Sequence, residues 1–195
     1  MGKIICLMGK SSSGKDTIYK LLLEQKEIPF CRIVPYTTRP IRSGETNGVE
    51  YIFTDDTGLQ RLIEEQKVIE QRAYHTVHGI WNYFTVDDGQ VDFAKGDYLL
   101  IGTLEVYLKL REYYGKEAVL PIYIEVDDGV RLARALERER QQEHPKYAEM
   151  CRRFLADEED FSQEKLEKAG IRRRFVNDNL AETVSEILAY ISEKT

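Results

Sequence analysis

The stretch Ile4-Ile5-Cys6-Leu7-Met8-Gly9-Lys10-Ser11-Ser12-Ser13-Gly14-Lys15-Asp16-Thr17 decides how the rest of the chain is read. Its first five residues are apolar and two are β-branched, which predicts a short strand buried on both faces. Gly9 to Gly14 then turn the chain, and Ile18, Leu21 and Leu22 follow at helical spacing. Strand, glycine loop and helix are the context of a phosphate-binding P-loop. Gly9 and Gly14 permit backbone angles that a β-carbon disfavours, so successive N–H groups can point at one anion. The helix start adds its positive end, and Lys15 would place an ammonium on the β/γ-phosphates. The plainer reading of the same residues is a glycine-rich turn beside a solvated lysine. The complete G-x-x-x-x-G-K spacing favours phosphate.

The residue after the lysine in such loops is normally Ser or Thr, whose hydroxyl ligates Mg²⁺. Here it is Asp16, followed by Thr17. A carboxylate is still a hard oxygen ligand, so Asp16 is the candidate Mg²⁺ residue, with added negative charge beside the phosphates.

Composition limits the alternatives. The chain has 195 residues, 42% hydrophobic and 32% charged, which suits one folded domain with its own core. The net charge of −6 disfavours a dedicated nucleic-acid binder. Cys6, Cys31 and Cys151 are odd in number and far apart, as expected of reduced thiols in the cytoplasm. The first apolar run is too short for a signal sequence or a membrane span. His75 and His78 have no Cys or carboxylate pattern around them, so no metal site is expected there.

Strand-like and helical segments alternate along the chain, which predicts an α/β fold with a central parallel sheet flanked by helices. Strands are expected over 31–36, 97–105 and 119–126, ending with Phe175 and Val176, and a helix over 55–67. Asp127-Asp128 and Asn179 with Glu182 carry helix-start chemistry. Between the first helix and residue 53 lies a polar turn holding Arg39 and Arg42. Two guanidinium forks can clamp one phosphate, with Tyr51 adding a hydroxyl, or be solvated loop residues. Spacing alone does not decide.

The run Thr37-Thr38-Arg39-Pro40-x-Arg42-x-Gly44-Glu45-x-x-Gly48-x-x-Tyr51-x-Phe53, joined to the P-loop, resembles the signature of the guanylate kinase family. The resemblance implies a P-loop NTPase fold with a core (about 1–33, 87–126 and 170–195), a monophosphate-binding subdomain (about 34–86) and a helical lid (about 127–169). It implies γ-phosphoryl transfer from ATP to GMP or dGMP, with Mg²⁺ as cofactor and neither nucleic acid nor membrane as partner. Oligomeric state is left open. Gly9, Lys10, Ser11, Ser12, Ser13, Gly14, Lys15, Asp16 and Thr17 would hold ATP, with Asn177 and Asp178 near its adenine. Arg39, Arg42, Tyr51 and Tyr83 would hold the GMP phosphate. Glu70 and Thr85 would contact guanine, the carboxylate accepting from N1–H and the 2-amino group. Without the resemblance, Glu70 reads as a charge on an exposed strand face.

The chain departs from the family pattern at several points. Pro35 stands where the family often has a guanine-contacting Ser. Phe84 replaces a glycine in the family's Asn-Tyr-Tyr-Gly-Thr, so a different local turn is expected. Ile101 and Thr103 replace two aspartates near the metal, and Asp16 is the one acid gained. Among the arginines of 131–153, Arg138 and Arg153 match the family's lid positions. Glu137, Glu139 and Glu149 could equally pair with them on solvated helix faces. Two other readings stay open: the same scaffold acting on another nucleotide or sugar phosphate, and a non-catalytic interaction module.

Overall fold

The computed structural model describes residues 2–76 and 79–195. Met1, Val77 and His78 lie outside the described residues, so the reading of the histidine pair falls in part on a residue that is not described. In order the elements are β1 (Ile4–Met8), α1 (Lys15–Leu23), β2 (Phe30–Arg32), β3 (Tyr36–Thr37), β4 (Ile52–Phe53), α2 (Asp56–Glu64), β5 (Val68–Thr76), β6 (Gly79–Val86) and β7 (Asp97–Ile101). There follow α3 (Leu104–Tyr114), a short 3₁₀ turn, β8 (Val119–Glu125), α4 (Asp128–Arg140), α5 (Tyr147–Asp160), α6 (Gln163–Lys168), β9 (Arg174–Val176) and α7 (Leu180–Lys194).

Two sheets divide the strands. The first is wholly parallel, in the order β2-β7-β1-β8-β9, with β1 at its centre. Every residue of β1 is fully buried. Its side chains alternate between two cores, as period-2 geometry requires. Ile4, Cys6 and Met8 pack with Val106, Tyr107 and Leu110 of α3, and with Phe161, Leu166 and Ala169. Ile5 and Leu7 pack with Ile18 and Leu22 of α1 and Val184, Ile187 and Ile191 of α7. Burying each large aliphatic side chain contributes about 1.5–3 kcal/mol. Cys6 sits deep enough that burial pushes its thiol up to about 12, so it is a neutral packing group. Phe161, Leu166 and Ala169 fall inside the expected lid span, yet they are core residues.

The second sheet has the order β4-β3-β6-β5. Its small core consists of Leu59 of α2 with Phe84 and Val86, joined by Tyr36, whose ring stacks on Phe84 at 5.4 Å. The expected strand over 31–36 is therefore split. β2 pairs with β7 in the first sheet, and β3 pairs with β6 in the second. The chain changes sheets around Pro35, which has no N–H to donate to a ladder.

Three other boundaries differ from expectation. The helix expected to reach 67 ends at Glu64, because Gln66 takes a left-handed backbone angle (φ 57°). The strand expected to reach 105 ends at Ile101, because Thr103 caps α3, its Oγ1 accepting from the Val106 N–H at 3.3 Å. Phe84 makes no altered turn; it lies within β6 and is fully buried. The aromatic side chain that replaces glycine fills the second core and favours an extended backbone. The capping chemistry of α4 and α7 is as the sequence indicated. Asp127 accepts from the Val130 N–H, and Asn179 from the Ala181 and Glu182 N–H groups.

Candidate phosphoryl-transfer site

The P-loop runs from the carboxyl end of β1 to the first residue of α1, where ligands of open parallel sheets bind. Close packing explains both glycines. A β-carbon on Gly9 would stand 2.6 Å from the Ile124 carbonyl oxygen and 2.9 Å from Ser13 Oγ. One on Gly14, which also has a left-handed backbone (φ 86°), would stand 2.4 Å from Asn177 Nδ2. Ser12 also holds a left-handed angle (φ 64°), an unfavourable state that is kept where loops do work. Ser12 Oγ and Ser13 Oγ are buried with no hydrogen-bond partner. A buried hydroxyl left unpaired costs about 1–3 kcal/mol, so these atoms suit a ligand rich in acceptors. Lys15 is largely buried, with its Nζ 4.0 Å from Asp16 Oδ2. Asp16 and Thr17 are exposed in the first turn of α1.

Asn177 lies beneath the loop. Its Nδ2 donates to the Ser13 carbonyl at 2.8 Å, so the side chain props the loop from below. Asp178 is exposed beside it. A cavity of about 360 Å³ opens between the end of β8 and the start of α4, lined in part by Lys10, Asp127, Asp128, Arg131 and Val176.

The helices after β8 reach the P-loop through a charge cluster that spacing did not single out. Arg131 is 1% exposed. Its Nη2 donates to Asp128 Oδ1 and Glu158 Oε1, both at 2.7 Å, and its Nη1 to the Ser11 carbonyl at 3.2 Å. The guanidinium lies 4.5 Å from the Phe154 ring centre. Lys10 Nζ donates to the same Glu158 oxygen at 2.7 Å, and the Ser11 N–H donates to Asp157 Oδ2 at 2.7 Å. A carboxylate of α5 thus rests on a P-loop amide. The position of Arg131 on the buried face of α4, one turn before buried Ala135, was the available signal. Arg138 is exposed at the end of α4. Arg153 is also exposed, with its Nε donating to Glu149 Oε1 at 2.9 Å.

On the second sheet, Arg39 is 2% exposed and lies 5.5 Å from the ring centres of both Tyr51 and Phe53. Nη1 and Nη2 donate to the two oxygens of Glu45 at 2.9 and 2.7 Å, while Nε is buried without a partner. This pairing holds the guanidinium above its ordinary value and the Glu45 carboxyl below the usual carboxylate range. Tyr51 and Tyr83 meet edge to face at 5.5 Å, and burial raises the Tyr51 hydroxyl. The structure therefore brings Arg39, Tyr51 and Tyr83 together. Arg42 is exposed; its N–H donates to Glu45 Oε2 at 2.8 Å. A larger open depression of about 910 Å³ borders Arg39, Asn47, Phe53 and Trp81 at the sheet edge, away from the P-loop residues.

Glu70 is buried, with its side chain 1% exposed. Its Oε1 accepts from Thr85 Oγ1 at 2.7 Å, and its Oε2 from Arg72 Nε at 2.9 Å. Arg72 is therefore a further member of this constellation. It lies two residues from Glu70 on the same strand face, the pattern by which a strand sequence reveals such pairs.

Residue types fit a nucleotide with its metal. Mg²⁺ takes one or two carboxylates plus phosphate oxygens and waters, and Asp16 supplies one carboxylate beside the loop. Thr103 is engaged in capping and Ile101 has no ligand atom. Among the described residues no three His, Cys, Asp or Glu side chains group as a self-contained metal cage. No helix among them is long and apolar enough to cross a membrane.

Comparison with known proteins agrees with this geometry. Residues 1–80 match the model of the family described as Guanylate kinase. The chain is 29% identical to the guanylate kinase of Chlorobaculum tepidum over 197 aligned positions, covering 98% of this chain and 93% of that protein. It is 33% identical to the guanylate kinase of Mycoplasma mobile over 122 positions, 61% of this chain and 58% of the relative. Among solved structures, guanylate kinase from Anaplasma phagocytophilum superposes with a TM-score of 0.67 at 21% identity, covering 99% of this chain and 86% of that one. That likeness carries the fold: an α/β P-loop architecture with a central parallel sheet. By these matches the chain is similar to guanylate kinases, over residues 1–80 to the family model and over nearly its whole length to one relative.

Proposed function

We propose that this chain transfers the γ-phosphoryl group of ATP to GMP, or to dGMP, giving ADP and GDP. One observation carries the reading. A P-loop with unpaired buried hydroxyls, Ser12 and Ser13, shares a chain with a buried arginine, Arg39, framed by Tyr51 and Phe53 and lacking a partner at Nε. The first suits a triphosphate and the second a monophosphate. The curated relatives, named guanylate kinases, support the pairing of these two substrates.

Little covalent chemistry falls to the protein in such a transfer; it aligns the reactants and neutralises charge. The amides of 9–15 and Lys15 hold the ATP phosphates. Asp16 would hold Mg²⁺, which neutralises the β- and γ-oxygens when bound with ATP. Arg39, Arg42, Tyr51 and Tyr83 hold the acceptor phosphate, with Glu45 yielding the Arg39 fork to the more highly charged phosphate. The base end is built from Glu70, Thr85 and Arg72. The nucleophile is the GMP phosphate oxygen, already ionised at neutral pH, so no general base is required. Arg138 on α4 and Arg153 on α5, in the part of the expected lid that precedes the core residue Phe161, would swing onto the transferring group. Charge supplied in this way is worth on the order of 10³-fold or more. Asn177 positions the loop, with Asp178 at the adenine end. We place the protein in the cytoplasm, in keeping with its three free thiols.

The test is ADP formation from Mg·ATP with GMP, dGMP, AMP, CMP and UMP offered singly. Turnover with GMP or dGMP far above the others supports the proposal. Turnover with a different acceptor overturns the guanine assignment and keeps the P-loop. ATP binding without turnover on any acceptor favours the interaction module.

A further inference from the structure

The P-loop contains a turn that its own residues disfavour. The Ser13 N–H donates to the Lys10 carbonyl at 3.2 Å and closes a turn over 10–13. Of its two central residues only Ser12 has a positive φ (64°), the pattern of a type II turn. That form favours glycine at its third position, because a β-carbon there crowds the preceding carbonyl. A type I turn suits serine better and differs by a flip of the central peptide, here the one joining Ser11 to Ser12. The loop alone would favour the flipped form.

Two side chains from outside the loop hold that peptide. Arg131 Nη1 donates to the Ser11 carbonyl at 3.2 Å, and the Ser11 N–H donates to Asp157 Oδ2 at 2.7 Å. Nη1 also stands 3.6 Å from the same Asp157 oxygen. One largely buried ion pair, from α4 and α5, thus fixes the peptide planes on both sides of Ser11. The guanidinium is itself fixed by Asp128 and Glu158, with Phe154 against it. In a trans peptide the N–H points away from the carbonyl. With the Ser11 carbonyl turned to Arg131, the Ser12 N–H points the opposite way and meets no acceptor among the described residues. A flip would turn the carbonyl to that side, presenting an oxygen where a phosphate needs a donor.

We propose that Arg131 and Asp157 are positioning residues for ATP, which hold the Ser11–Ser12 peptide so that the Ser12 N–H faces the phosphates. This rests on the reading of the loop as an ATP site. Neither side chain has to touch the nucleotide. Helices α4 and α5 govern donor binding through the backbone of the loop, and a serine at 12 is compatible with binding because they do.

Glycine at 12 removes the strain, so the test is a double-mutant cycle of Arg131→Lys with Ser12→Gly. Calorimetry reads the affinity for Mg·ATP and, separately, for GMP. Arg131→Lys keeps the charge and loses the fork. It should weaken Mg·ATP about tenfold in the native loop, the scale of one left-handed non-glycine residue. In the Ser12→Gly background the same change should weaken it less than about threefold. GMP affinity should move less than about twofold throughout. Asp157→Asn, which keeps an acceptor for the Ser11 N–H and removes the charge that pairs with Arg131, is the second variant. It should weaken Mg·ATP about threefold, again only in the native loop. A purely structural role would give the same penalty in both backgrounds, and that result overturns the proposal. So does the absence of any penalty in the native loop, or an equal loss of affinity for GMP. A native chain that does not bind Mg·ATP overturns the P-loop reading itself, an outcome distinct from these.

Discussion

Removing the guanidinium of Arg131 should cost more than an arginine on a thirteen-residue, charge-rich helix ordinarily would. In Arg131→Ala, Asp128 and Glu158 are left with Lys10 as their remaining cation, and Asp157 keeps only the Ser11 N–H. The Ser11 carbonyl loses a donor, and Phe154 loses the cation over its ring. Breaking a fully buried ion pair from one side costs about 3–5 kcal/mol. Here Arg131 is 1% exposed, but Asp128 and Glu158 are 50% and 39% exposed and recover hydration, which favours the lower end. The expected loss is about 3 kcal/mol, or about 6–12 °C in Tm for a chain of this length. Arg131→Lys keeps the charge without the planar fork and should fall between the two. Arg134→Ala, exposed on the same helix, should stay within about 0.5 kcal/mol. Urea unfolding followed by circular dichroism measures all three. A loss below about 0.5 kcal/mol in Arg131→Ala would refute the reasoning, since that is the scale of a surface ion pair.

Two further outcomes follow from local electrostatics. The hydrogen bond from Arg152, helped by Arg153, holds the Glu149 carboxyl down at about 2. A depressed carboxyl contributes stability that is present above its unfolded value of about 4.3 and is lost as pH falls from there toward the folded one. Glu149→Gln should flatten that acid loss by only a few tenths of a kcal/mol, because exposed pairs are screened by water; an unchanged acid limb in pH-dependent unfolding would contradict this. Asp16→Ala should raise the Mg²⁺ concentration needed for half-maximal turnover by on the order of tenfold. An unchanged Mg²⁺ requirement removes Asp16 from the metal role.

The P-loop was legible because all its information is local: a five-residue apolar run, two glycines at fixed spacing and a helical stripe. The alternation of β1 between two cores followed from the same run. What stayed hidden depends on long-range partners. Arg131 looks like its neighbours Arg134 and Arg138 until Glu158, 27 residues away, and Ser11, 120 residues away, are brought beside it. Arg72 needed the pairing of β5 with β6 before its place over Glu70 had meaning. Thr103 was read as the tail of a strand because strand and cap share extended backbone; only its hydrogen bond to Val106 separates them. Phe84 stands in a glycine's place, and its tolerance depends on Tyr36 and Leu59 arriving from elsewhere. Arg39, Tyr51 and Tyr83 were named by resemblance, and their physical assembly shows only in the ring and guanidinium contacts.

The central claim is that the P-loop and the Arg39–Tyr51–Tyr83 cluster are the two halves of one transfer site. The direct measurement is the affinity of one molecule carrying adenosine and guanosine joined through five phosphates, compared with ATP and GMP separately. If both halves face one another, the joined ligand should bind about 10²–10⁴-fold more tightly than either part. Binding no tighter than the better of the two parts would show that the clusters do not form one site, and would contradict the account.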